Sequence, residues 1–150
     1  MDESGFDAPL IREYGYCPKG QRLLGERSGQ RFTRTSIIAG LRENNPIAPM
    51  VFKGYCNTAV VLAWVKEMLI PELKSGMTVI WDNATFHKSP LIQDAFNSAG
   101  IDLIFLPPYS PDLNPIEQFW ARLKSKMRRL KEEKRHVVQV LEKVFKSFLN

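Results

Sequence analysis

Residues 77–106 read MTVIWDNATFHKSPLIQDAFNSAGIDLIFL, and these 30 residues decide the fold. Met77–Asp82 carries a short apolar strand signal that ends on an acid. Ser89 followed by Pro90 marks a helix start: a capping residue, then a proline where a missing N–H costs nothing. Gly100 is the matching stop signal. Ile101–Leu106 is almost wholly apolar, the pattern of a strand covered on both sheet faces. Strand, helix and strand in so short a span make a parallel βαβ unit. Asp82 then stands at the carboxyl edge of the sheet, where open α/β sheets bind ligands. The local alternative is a turn or cap role for the Asp82-Asn83 pair.

Upstream, Arg34–Leu41 (RTSIIAGL) and Ile47–Gly54 (IAPMVFKG) read as strands joined by a turn at Glu43–Pro46 (ENNP), a hairpin. Asn57 is placed to cap a helix running to about Leu69, with Val61, Trp64, Val65, Met68 and Leu69 on its apolar face. Pro71 and Gly76 end that region. A hairpin followed by a βαβ unit implies a mixed sheet flanked by helices. Downstream, PPYSPDLNPIEQFW (Pro107–Trp120) sets four prolines ahead of Glu117. Asn114 caps the next helix and Pro115 starts it; Ile116, Phe119, Trp120, Leu123, Met127 and Leu130 form its apolar stripe. Val137, Leu141, Val144 and Phe148 recur at helical spacing in a final amphipathic segment, which is expected to pack on the domain or on a partner subunit.

The 150 residues suit a single domain, residues 1–130 as core and 131–150 as a C-terminal helix. No apolar run approaches the roughly 20 residues that span a bilayer. Acids directly after Met1 leave no signal-peptide n-region. Cys17 and Cys56 lack metal-type spacing, which favours free thiols in a reducing compartment. The net charge is +5, yet from Arg122 to Arg135 eight basic residues outweigh Glu132 and Glu133 by six. The remainder of the chain is therefore close to neutral. Such a run is either a solvated helix face or a track for a phosphate backbone.

Three acids stand out. Asp82 closes its strand. Asp2 sits in the opening MDESGF, readable as a short strand or as a solvated terminus. Glu117 is the third helical residue after Asn114, so Asn-x-x-Glu reads as a capping box in which the glutamate turns back to the cap N–H. A metal-binding glutamate must instead turn out towards other acids. Glu3 alternates to the opposite side of the strand from Asp2, and Asp112 reads as turn chemistry.

Taken together, MDESGFD, VIWDNATFHKS and LPPYSPDLNPIEQFWARLK resemble the three signature blocks of the DDE transposase catalytic domain, more narrowly the mariner-type superfamily and its bacterial insertion-sequence relatives. Between Asp82 and Glu117 lie 34 residues, the spacing that marks this branch. The resemblance implies a ribonuclease-H-like α/β fold: a mixed five-stranded sheet flanked by helices, with Asp2 on the first strand, Asp82 just after the fourth and Glu117 on the last main helix. It also implies metal-dependent DNA cleavage and strand transfer. Asp2, Asp82 and Glu117 are the expected catalytic residues and the ligands of two Mg²⁺ or Mn²⁺ ions, for which carboxylate oxygens are the natural donors. Asp2 and Asp82 would serve both ions and Glu117 one. The metal would activate water for the first cut, after which a 3′-hydroxyl attacks target DNA.

Lys124 and Arg128, on the helix face of Glu117, are the leading candidates for DNA-backbone contacts. Lys88 and His87 are further DNA-binding candidates; the alternatives for His87 are orientation of a neighbouring group or a structural hydrogen bond. Asn83 reads as a backbone brace. The implied partners are transposon ends and target DNA, the latter at a TA dinucleotide, with a homodimer on DNA and no membrane. The implied location is the bacterial cytoplasm, on the nucleoid. Complete members of the family carry helix-turn-helix modules ahead of this domain. Here only Met1 precedes Asp2, which predicts a truncated first strand and a DNA-binding region supplied separately or by fusion, as in a frameshifted element or a fragment. Two other functions fit parts of the pattern: a general ribonuclease-H-like nuclease, and a catalytically silent fragment that binds DNA or transposase.

Overall fold

A computed structural model describes residues 1–6, 34–130 and 137–146, with the isolated Lys19. Cys17, Phe148 and the basic residues of 131–135 lie outside the described residues. The first strand, β1 (Asp2–Phe6), pairs antiparallel with β2 (Thr35–Arg42), which pairs antiparallel with β3 (Asn45–Lys53). The hairpin is tighter than the expected four-residue turn. Glu43 and Asn44 both take positive φ (50° and 67°), and Arg42 pairs directly with Asn45. Two left-handed central residues match the twist of the flanking strands, so the ladder reaches the turn itself.

A bulge between Ile38 and Gly40 shifts the β2–β3 register, and Ala48 opposite it has φ 47°. Its backbone groups find partners elsewhere. Trp64 Nε1 donates to the Ala48 carbonyl at 2.6 Å, and the Ala48 N–H donates to Glu72 Oε1 at 3.1 Å. These bonds dock the next helical segment on the hairpin. That segment begins as predicted: Asn57 Oδ1 accepts from the Val60 N–H at 3.0 Å at the start of α1 (Thr58–Trp64). A π-helical turn (Val65–Leu69) and a 3₁₀ turn (Ile70–Glu72) carry it on to Pro71, which has no N–H to extend an α-helix.

The βαβ unit forms as expected. Strands β4 (Thr78–Trp81) and β5 (Asp102–Phe105) are parallel, with α2 (Pro90–Ser98) between them in sequence. Pro90 opens α2, although Ser89 makes no side-chain cap. Gly100 takes the φ of 67° that a helix stop requires. Only one face of this pair is covered among the described residues. Val79 and Trp81 pack against Ile92 and Phe96, whereas Ile80 and Ile104 are about half exposed. The expected cover of the second face is not supplied by the described residues, because the later helices pack elsewhere. These are α3 (Ile116–Leu130) and α4 (Val137–Lys146); Phe119, Leu123, Leu141, Val144 and Phe145 bury against Phe6, Ile37 and Ala39 of β1 and β2.

Five strands are present among the described residues, but their hydrogen bonds form two ladders, β1–β2–β3 and β4–β5. The Met1 nitrogen donates to the Ile80 carbonyl at 2.8 Å, so β1 begins where β4 is ending and the two strands scarcely overlap. A seam therefore runs between Asp2 and Asp82. No helix among the described residues is long and apolar enough to cross a membrane.

Candidate active site

A cavity of about 450 Å³ opens at the end of β4 and β5, lined by Asp82, Asn83, Lys88, Asn114, Glu117 and the proline loop from Pro107 to Pro111. Asp82 is delivered by β4. Glu117 is delivered by the first turn of α3, where the helix dipole favours an anion. The capping-box alternative needs the Asn114 N–H, and that donor is engaged with the Pro111 carbonyl at 3.0 Å. The Asn114 side-chain amide donates to the Met1 carbonyl at 3.4 Å. Glu117 itself is exposed on the cavity wall.

Asp2 lies behind this wall. It is only 7% exposed, and Trp120 Nε1 donates to its Oδ2 at 3.0 Å. Trp120 is one helical turn beyond Glu117, so this bond ties the glutamate's helix to β1. Burial first, then the charges of Glu3, Glu117 and Asp82, push the Asp2 carboxyl up to about 7. Glu117 and Asp82 thus stand near enough to disfavour the charge on Asp2. Among the described residues, however, no three acidic, imidazole or thiol side chains surround one point as a metal's ligands would.

Trp120→Phe keeps the ring and removes the donor. It is expected to cost about 1–3 kcal/mol in urea denaturation, because a buried carboxylate loses its partner. The loss should be larger at pH 8 than at pH 5, where Asp2 is uncharged. Parent-like stability at both pH values would show that the bond carries no such weight.

Asp82 is held from its other side. His87 is fully buried, and its Nδ1 donates to Asp82 Oδ1 at 2.5 Å. Its Nε2 stands 3.1 Å from Glu3 Oε2, an ion contact out of line for a hydrogen bond. Burial opposes the charge on His87, but the carboxylates of Asp82 and Glu3 outweigh it and raise the imidazole to about 9. In turn, burial alone would raise Asp82, and the His87 hydrogen bond and charge hold it below the usual carboxylate range. Of the candidates for DNA contact, His87 therefore has neither nitrogen open to a phosphate. Lys88 does line the cavity, with its Nζ 5.9 Å above the Phe105 ring. Lys124, with its Nζ 6.0 Å above Phe6, and the exposed Arg128 lie farther along α3, away from the cavity lining.

The donors fit a hard divalent cation. Asp82 and Glu117 offer carboxylate oxygens to one cavity, with a third, charge-strained carboxylate behind them. Asn83, expected as a backbone brace, instead leaves its Oδ1 buried without a partner beside Asp82, a polar atom to be satisfied by a ligand or water. Asp112 sits exposed in a 3₁₀ turn (Pro111–Leu113) and is not part of the lining. Cys56 is a free thiol, pushed up to about 12 mainly by burial. Two contributors escaped the sequence reading. Trp120 looked like one more apolar stripe residue, and Glu3 was read only as facing the opposite side of the strand from Asp2.

Two strand ladders with helices packed on them, Asp82 at the carboxyl end of β4, make an α/β fold of the ribonuclease-H-like class. The chain belongs to the DDE superfamily endonucleases, whose family model matches residues 1–138. It is 50% identical over 42 residues to the transposable element Tc3 transposase of Caenorhabditis elegans, a match covering 28% of this chain and 13% of that protein. Its fold is similar to the chain in the Mos1 strand transfer complex, with a TM-score of 0.62 at 16% identity, covering 97% of this chain and 51% of the other. It is also similar to the Mos1 mariner paired-end complex with Mn, with a TM-score of 0.58 at 16% identity, covering 98% and 52%. The chain thus spans about half of each Mos1 chain and a small part of the Tc3 protein.

Proposed function

We propose that this chain is the catalytic part of a DNA transposase, acting by metal-dependent strand cleavage and strand transfer. The observation that carries the reading is the meeting of Asp82 and Glu117, 34 residues apart in sequence, on one cavity with Asp2 behind it. Asp82 and Glu117 would hold Mg²⁺ or Mn²⁺, two ions in the full assembly, with Asp2 completing the set. The manganese named in the Mos1 paired-end complex supports that choice. When bound, such ions offset the charge that develops on the phosphate and lower the pKa of attacking water.

The chain's own residues do the rest. Asp82 is kept ionised by His87 and so remains a ligand at neutral pH. The prolines of residues 107–115 limit the freedom of the loop that delivers Glu117. Asn83 Oδ1 accepts a hydrogen bond from water or a substrate group. Lys88, at the cavity wall, meets a DNA phosphate, and Lys124 and Arg128 continue the contact along α3. The partners are element ends and target DNA, held by a homodimer with a DNA-binding region that is fused or separate. The place of action is a reducing, bacterial cytoplasm.

A second reading, binding without catalysis, draws on the absence of a three-ligand cluster among the described residues. A cleavage assay decides between the two. With Mg²⁺ or Mn²⁺ and DNA bearing the element's own ends, the chain or a version extended ahead of Met1 should nick the ends, and Asp82→Asn should not. Correct folding with activity in neither would sink the enzymatic reading.

A further inference from the structure

His87 is the most confined polar side chain of the described residues. Its ring stacks on Trp81 with centroids 4.2 Å apart at 25°, and Phe86 meets it edge-on at 4.3 Å. Its two nitrogens face two carboxylates from different ladders: Asp82, directly after β4, and Glu3, within β1. We propose that His87 is a positioning residue, and that Glu3–His87–Asp82 forms a strut across the seam which fixes both the direction of the Asp82 carboxylate and its distance from Asp2. The proposal rests on the metal-site reading above and adds the device that aligns that site.

The geometry supplies three reasons. First, Asp82 follows the strand with its side chain 38% exposed, so little packing restrains its two torsions, and beside His87 only the Ala84 backbone N–H acts on its carboxylate as a hydrogen-bond donor. A hydrogen bond from a ring that cannot turn removes that freedom, and it uses only Oδ1. Second, Glu3 and Asp2 are neighbours on one strand and point to opposite faces. Whatever holds Glu3 to the β4 side therefore holds Asp2 at a set distance from Asp82. Third, the seam has little ladder of its own; Met1 bonded to Ile80 lies at one end, and the strut spans it beside the acids. Partners that orient ligand side chains in this way are typically worth about 10–100-fold in metal affinity.

The test is Mn²⁺ binding by the full chain, read from the electron paramagnetic resonance signal of free Mn²⁺, with circular dichroism confirming the fold. The parent should bind, and Asp82→Asn should not. His87→Ala should bind about 10–100-fold more weakly while still folded, and His87→Gln, whose amide can still donate to Asp82, should recover part of the loss. Glu3→Gln should weaken binding in the parent but have no further effect in the His87→Gln background. That coupling separates a strut from simple loss of charge, which would weaken binding equally in both backgrounds. A folded His87→Ala chain with parental affinity overturns the strut and leaves the metal reading standing. If His87→Ala does not fold, the Glu3→Gln and His87→Gln pair decides, and equal effects in both backgrounds overturn the strut. Binding in the parent that ignores Asp82→Asn, or no binding at all, overturns the metal reading and the strut with it.

Discussion

Replacing Glu117 with glutamine is expected to lower metal-dependent DNA cleavage on the order of 10³-fold while moving the melting temperature by no more than about 2 °C. The two halves of that expectation come from different features. Glutamine keeps the size and the hydrogen-bonding reach of the side chain but cannot supply an anionic oxygen to a cation. The fold has little reason to notice. Glu117 is exposed, and the backbone donors at the start of α3 are served by other groups: the Glu117 N–H by the Asn114 carbonyl at 3.1 Å and the Asn114 N–H by Pro111. Loss of one charge near the helix N-terminus costs about 0.3–1 kcal/mol, and the relief given to Asp2 works in the opposite direction. Cleavage assays beside thermal melts read both halves. A fall of about 8 °C or more with cleavage retained would restore Glu117 to a capping role.

The metal-free chain is expected to lose stability as pH rises from about 5 to 9, the reverse of ordinary acid denaturation. Asp2 holds its proton up to about 7 when folded, against a usual 3.8, so between those values the folded chain binds more protons than the unfolded one. Stability must then fall with rising pH. His87 adds to the trend. Raised from 6.5 to about 9, it contributes fully below 6.5, and that contribution is lost as pH climbs through 9. Asp82 acts oppositely only as pH falls below the usual carboxylate range. The Met1 ammonium, lowered from 8.0 mainly by burial, acts oppositely within the window and offsets part of the loss. The net loss is on the order of 3 kcal/mol, or about 6–12 °C in melting temperature for a chain of this size. Melts in a chelating buffer would show it. Asp2→Asn should flatten the part between pH 4 and 7, and Mn²⁺ added at pH 8 should recover much of the loss. A flat or rising profile would contradict the strained state of Asp2.

Much of this was legible in the chain because it is written locally. Asn57 before an apolar period, Pro90 at a helix start and Gly100 at its end each act through their own few residues, and each element formed within a residue or two of its expected place. The spacing of Asp82 and Glu117 was readable for a related reason: a helix, a strand and a stiff loop fix how far apart those acids stand. Contacts across the chain left no such trace. Trp120 binds Asp2 over 118 positions, and nothing in an apolar stripe shows that one member spends its N–H on a carboxylate. Glu3 reaches His87 only because the seam brings β1 beside the end of β4. The outer face of β5, open among the described residues, was not legible because an apolar run states what a strand would bury, not which segment arrives to cover it.

The seam also has a consequence for how the molecule moves. Asp2 belongs to one hydrogen-bonded ladder and Asp82 to the other, and one apolar cluster, with Ile38 and Ala48 on one side and Val79, Trp81 and Ile92 on the other, joins them across the seam. The acids can part only if that shared packing shifts, but the backbone bond to be broken there is the single one from Met1 to Ile80. Amide exchange should therefore detect an opening cheaper than global unfolding at the adjoining ends of β1 and β4, and a cation joining the two ladders should slow it. A bound cation would, in that sense, latch two ladders over a core they already share.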